Sequence, residues 1–115
     1  MRIALVRIAL LASSLAACAP APQDPVARRG EADFQAAHCG ACHQLRGLQG
    51  AVGEVGPPLD GLGRRTILAG VLPNTPTNLA QWIRQPQSLK PGDAMPDSPL
   101  TPQQAQDVSA FLDAR

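Results

Sequence analysis

The 115-residue sequence contains no tyrosine, and its large rings are limited to Phe34, Trp82 and Phe111. A chain this short makes one small domain, and such domains bury a modest share of their surface and usually need a staple. Protein side chains alone leave the centre short of packing material. Lysine occurs once, at Lys90, and the formal net charge is +1. No cluster of Lys and Arg marks a nucleic-acid face, which excludes nucleic acid as a partner. No apolar run reaches the ~20 residues of a membrane-spanning helix. Nor does any stretch alternate polar and apolar residues for long enough to argue a sheet. Histidine occurs only at 38 and 43, and cysteine only at 18, 39 and 42. Proline and glycine are what abound, at twelve and ten, so long irregular loops are expected.

Residues 1–17, "MRIALVRIALLASSLAA", set Arg2 and Arg7 ahead of a short apolar stretch, the layout of a secretory signal. The stretch ends in Leu15-Ala16-Ala17-Cys18, which resembles the bacterial lipoprotein signal. That resemblance implies cleavage before Cys18, lipidation of its sulfur, and anchoring on the periplasmic side of a bacterial membrane. Ala19 rather than Asp follows the cysteine, which by the sorting rule of some two-membrane bacteria points to the outer membrane over the inner. Residues 18–27 then comprise the lipidated cysteine and a tether, "APAPQDPVA", stiffened by prolines at 20, 22 and 25. Extended, that tether reaches up to ~28 Å. The folded domain is expected over 28–115. With the signal arginines removed, eight basic residues face nine acidic ones.

With Cys18 assigned to lipid, Cys39 and Cys42 remain as a pair in "HCGACHQ", residues 38–44. A disulfide there would close a very short loop and restrain little. A thioredoxin-like pair needs a βαβ setting, which is not visible. Structural zinc needs four ligands, and only His38 and His43 could join the cysteines, all within six consecutive residues. The reading left is Cys39-Gly40-Ala41-Cys42-His43 as a c-type haem attachment sequence. Each thiol adds to one vinyl group of the porphyrin, and at a helix end residues three apart share one side. His43 is then placed to offer its imidazole to the iron, while small Gly40 and Ala41 let the backbone lie close. His38 adjoins an attachment cysteine and cannot reach the far face; it reads as a surface or packing histidine.

A sixth iron ligand has few candidates. Met1 leaves with the signal, so Met95 is the only methionine of the mature chain. It lies in "KPGDAMPDSP", too broken for helix or strand. A lone methionine commonly fills a core gap, but this polar, proline-stiffened setting favours a thioether ligand. His/Met ligation would raise the potential relative to two histidines.

Three helices can be read from periodicity and caps. The first spans roughly Arg28 to His43, with Phe34 and Ala37 inward and Gly30 permitting a close helix crossing. The second starts at Thr77 or Asn78, carries Leu79, Trp82 and Ile83 on one face, and stops before Pro86. The third has Thr101 as cap, Pro102 at its first position and Gln104 completing a capping box, with Val108, Phe111 and Leu112 inward. Residues 46–63 and 84–99 are left as loops. Such loops suit a small domain if they, with Phe34, Trp82 and Phe111, pack on a covalently held haem.

From Arg28 onward the chain resembles the class I cytochrome c family, through "CGACH", the following "GPPLDGLGRR", and "MP" in the last third. "LAGVLPNTPTNLAQWIRQPQSLKPGDAMP" is similar to the cytochrome c domains fused to subunit II of some haem-copper oxidases. The resemblance implies an all-α fold, three to four helices and loops around one covalent haem c, with the terminal helices crossing. It implies thioether bonds at Cys39 and Cys42 and axial ligands His43 and Met95. It also implies that the Pro57 carbonyl accepts the proximal imidazole N–H, a contact that orients the ring. Trp82 would sit near a haem propionate, and Arg65 or Arg64 could pair with one. In one respect the chain departs from the mitochondrial members, which ring the haem edge with lysines; strong electrostatic steering is therefore not expected.

The expected function is a membrane-anchored carrier of single electrons between respiratory redox partners, not an enzyme. A permanent haem subunit of a larger oxidase or dehydrogenase would have the same sequence features. A peroxidase would need an open iron and a distal acid–base group, for which His38 is badly placed. A gas sensor would need Met95 to be displaced, and no output domain is attached.

Overall fold

The structure, a computed structural model, describes residues 24–115; the signal stretch, Cys18 and the tether up to Gln23 lie outside the described residues. Helix α1 spans Pro25–Ala36, α2 Pro76–Arg84, α3 Pro86–Leu89 and α4 Pro102–Asp113. Short 3-10 turns cover Cys39–Ala41 and Leu62–Arg64, and a minimal antiparallel hairpin pairs β1, Ile67–Leu68, with β2, Leu72–Pro73. Among the described residues, no helix is long and apolar enough to cross a membrane.

Each of the four α-helices among the described residues begins at a proline. Proline's fixed φ suits the first helical position, where its missing N–H costs nothing. This displaces two of the expected starts. The first helix begins at Pro25 rather than Arg28, so the last three residues of the expected tether are helical. The second is capped by Thr75, whose hydroxyl accepts the Asn78 N–H, rather than by Thr77 or Asn78. The α4 start is as expected: Thr101 accepts the Gln104 N–H while the Gln104 side chain accepts the Thr101 N–H.

The terminal helices cross at Gly30. A Cβ there would lie 1.9 Å from the Asp107 carbonyl oxygen and 2.8 Å from the Phe111 Cβ. Only glycine lets the two backbones meet this closely. One turn on, Phe34 and Phe111 pack edge to face with centroids 5.8 Å apart, burying both rings at the crossing. Polar groups flank the contact. Arg29 Nε donates to Asp107 Oδ2 at 2.9 Å, and Gln104 Nε2 to Asp33 Oδ1 at 3.1 Å. Asp107 is only 3% exposed, and the Arg29 hydrogen bond holds its carboxyl below the ordinary value of 3.8. On the other side of α4, Ser109 Oγ donates to the Pro76 carbonyl and so ties α2 in place.

Leu45, Leu48, Ala51, Leu59, Leu62 and Leu68 fold inward from the long middle segment and join one core with Leu79, Ala80 and Ile83 of α2. The Asn74 amide closes this segment by donating to the carbonyls of Leu62 and Arg65. The hairpin turn has positive φ at Ala69 and Gly70, with Val71 N–H bonded to Leu68 O. Two-residue strands carry no alternation to detect, which is why no sheet is expected from sequence. Helix α3 likewise sits inside the stretch expected as loop.

Candidate functional site

Helix α1 does not run on to the cysteines. It ends at Ala36, and His38, with φ of 57°, is in the left-handed region and exposed. In an unbroken helix Cys39 would lie about 140° around from the buried Phe34, facing away from the core. The break turns it back: Cys39 starts a separate 3-10 turn and packs against the core. Cys42 closes that turn, with Cys42 N–H and His43 N–H both directed at Cys39 O, at 3.2 and 3.0 Å. The two cysteines thus bracket a 3-10 turn rather than the expected end of a continuous helix. Both thiols are free and partly exposed, and burial pushes the Cys39 thiol above its usual range. Gly40 is buried against Ala51, where a Cβ would lie 2.7 Å from the Ala51 Cα.

Two residues of one loop clamp the His43 ring. Its Nδ1 lies 2.8 Å from the Pro57 carbonyl oxygen. A carbonyl can only accept, so Nδ1 carries a proton and donates, which in the neutral imidazole leaves the lone pair on Nε2. Gly56 lies against the same ring: a Cβ on it would sit 2.3 Å from Cε1 and 2.7 Å from Nδ1. The loop is tied back by Gly56 N–H to Cys42 O at 2.7 Å and Gly53 N–H to Gly40 O at 3.0 Å. Below it, the Arg46 N–H donates to Asp60 Oδ1, the main reason that carboxyl lies below its usual range.

Met95 is half-buried in the segment after α3. Its backbone is held at both polar atoms, N–H to Asp93 Oδ1 at 3.0 Å and carbonyl to Gln87 Nε2 at 2.8 Å. The Met95 N–H, and then Lys90, hold the Asp93 carboxyl below its usual range. Trp82 is half-buried on α2, whose fully buried residues are Leu79, Ala80 and Ile83. Its indole makes no hydrogen bond among the described residues. Arg65 is exposed and donates to the Pro58 carbonyl, and Arg64 folds beside Gly61. The structure therefore brings Cys39, Cys42, His43 and Pro57 together, with Arg65 reaching the residue after Pro57. Gly56 and Gln87 escape a reading of sequence. Gly56 is signalled only by standing before a proline, and nothing in its neighbourhood sets Gln87 apart from any helix-surface glutamine.

Among the described residues no three His, Cys, Asp or Glu side chains converge to hold a bare metal ion. A cavity of about 500 Å³ lies between α2 and α4, and its lining, including Thr77, Arg84 and Asp113, holds no sulfur or imidazole. The donor set fits haem instead: two accessible thiols three residues apart, and an imidazole whose tautomer presents Nε2.

Fold and site together describe a small, mostly helical domain whose free thiols and imidazole suit covalent attachment of haem. The Cytochrome c family model matches residues 27–115, and the chain belongs to the cytochrome c family, in its class I branch. Membership implies covalently bound haem c and makes this an electron-transfer domain. The chain is similar to "Cytochrome c oxidase subunit 2" of Alkalihalophilus pseudofirmus, 40% identical over 78 residues that make 68% of this chain and 22% of the relative. It is 36% identical to the protein of that name from Bacillus sp. strain PS3 over 97 residues, 81% of this chain and 27% of the relative. The Bacillus subtilis protein is 31% identical over 75 residues, covering 64% and 21%. The chain thus spans about a fifth to a quarter of the length of these relatives.

Proposed function

We propose that the chain is a lipid-anchored, exported monohaem cytochrome that passes single electrons to or from a haem-copper oxidase or another respiratory redox protein. Cys39 and Cys42 hold the haem covalently, His43 and Met95 cap its iron, and Trp82 and Arg65 contact its propionates. Cys18 carries the lipid, on the periplasmic side and by preference at the outer membrane. The oxidase as partner is supported by the likeness to relatives named as oxidase subunits.

The observation that carries this reading is the His43–Pro57 pair beside two free thiols. It leaves Nε2 as a donor with a fixed direction, as a ligating histidine requires. Bound haem supplies a ferric/ferrous couple; the chain's task is to hold two ligands on the iron so that small molecules stay off and only electrons pass.

Two measurements test it. Intact mass of protein matured with its own biogenesis machinery is expected to equal the lipidated chain cleaved before Cys18 plus one haem; apoprotein mass would remove the haem reading. Met95→Ala is expected to lower the reduction potential and open the iron to added imidazole. A wild-type potential in that variant would remove Met95 from the iron.

A further inference from the structure

Among the described residues, Gln87 binds the Met95 segment more extensively than any other side chain does. Its Nε2 donates twice, to Asp93 O at 2.7 Å and to Met95 O at 2.8 Å, and its Oε1 accepts the Gly92 N–H at 3.0 Å. Its own backbone N–H donates to Asp97 Oδ1 at 3.1 Å. Residues 92, 93, 95 and 97 are therefore all fastened to one residue of α3. That helix is itself anchored by Pro86, one of the most deeply buried side chains of the domain.

The segment has no regular structure between Lys90 and Thr101 to satisfy its backbone. Pro91, Pro96 and Pro99 stiffen it, and Gly92 turns it with φ of 83°. Stiffness alone does not choose a position, and carbonyls that point inward need donors. A primary amide is the one uncharged side-chain group with two N–H donors and a carbonyl acceptor, so a single glutamine can serve two carbonyls and an N–H together. Glutamate in the same shape would keep the acceptor and lose both donors.

We propose that Gln87 is the positioning residue for the sixth iron ligand: its amide holds the Met95 backbone so that the thioether stays on the metal. This rests on the His43/Met95 ligation proposed above. A neutral thioether is a weak ligand. Its occupancy is set by the balance between a loop held closed and a loop that swings away, and an added ligand reads the open fraction directly. Losing the amide's bonds to the segment shifts that balance towards the open form.

The test compares the haem-loaded wild type with Gln87→Ala, Gln87→Glu, Met95→Ala and the Gln87→Ala/Met95→Ala pair. Imidazole affinity of the ferric protein and reduction potential are the readouts, and thermal unfolding checks that each variant is folded. Gln87→Ala and Gln87→Glu are expected to raise imidazole affinity on the order of tenfold to a hundredfold and to lower the potential. In the Met95→Ala background, where the position is already open, Gln87→Ala is expected to change imidazole affinity by less than about twofold. Wild-type affinity in both Gln87 variants, with Met95→Ala open, overturns the assignment of Gln87 alone. An equal gain from Gln87→Ala in both backgrounds overturns it too, because the effect would not pass through Met95. A Met95→Ala protein that behaves as wild type overturns the ligation and this inference with it.

Discussion

Gly56→Ala tests how the His43 ring is oriented. The added methyl would start 2.3 Å from Cε1, and ordinary contact begins at 3.4 Å, so ring and loop must separate by about 1.1 Å. The loop cannot retreat cheaply, because Gly56 N–H is bonded to Cys42 O at 2.7 Å. The ring cannot retreat without stretching Nδ1–H···O=C to Pro57 from 2.8 Å. Overpacking of this kind costs about 1–3 kcal/mol, and loss of one hydrogen bond about 1 kcal/mol. Replacing glycine returns about 0.4–1 kcal/mol through the unfolded chain, which is smaller than the penalty. Net destabilisation of about 1–3 kcal/mol is therefore expected in denaturant titrations of the haem-loaded protein. Because the displaced group is the proposed proximal ligand, the reduction potential should move as well. A Gly56→Ala protein with unchanged stability and unchanged potential would refute the tight packing of ring on glycine.

Two further outcomes follow from the helix crossing. In Gly30→Ala the methyl meets the Asp107 carbonyl oxygen at 1.9 Å, part of a helix backbone that cannot rotate aside. Alanine's better helix propensity, about 1 kcal/mol, should be outweighed, and the variant should unfold about 1–3 kcal/mol more easily in thermal or denaturant melts; equal or greater stability would show that α1 and α4 can part without cost. For pH, the Arg29 hydrogen bond lowers the Asp107 carboxyl below 3.8, so the ionised form favours the fold. Its contribution is full above about pH 4 and is lost as pH falls through the folded-state value. The stability gap between wild type and Asp107→Asn should be widest near neutrality and shrink in acid, and a gap that is constant with pH would show that charge at 107 is not involved.

Whatever adjoining residues decide is legible along the chain. The Thr101–Gln104 box works through atoms three residues apart, so the α4 start is visible in sequence. The same chemistry misplaces the α2 cap, because Thr75, Thr77 and Asn78 all qualify and only Pro76 at the first helical position decides among them. The run from Arg28 to His43 reads as one helix because nothing in residues 36 to 38 announces a break; the positive φ at His38 serves the turning of Cys39 towards a core that lies elsewhere. Phe34 and Phe111 are recognisable as core residues, but not as each other's partners.

By itself the sequence determined the chemistry on offer: two thiols and an imidazole at a spacing that suits one covalent cofactor, one thioether in a stiff polar stretch, and prolines that start the helices. These are covalent identities and near-neighbour bonds, and they survive without any fold. Tertiary structure decided which nitrogen of His43 is free, through a carbonyl 14 residues away. It decided that Asp107 is buried and ionised, through an arginine 78 positions away, and that Gln87 grips the Met95 segment. Such contacts depend on distances that close only when α1 and α4 cross and the loops fold back, so no local pattern of residues encodes them.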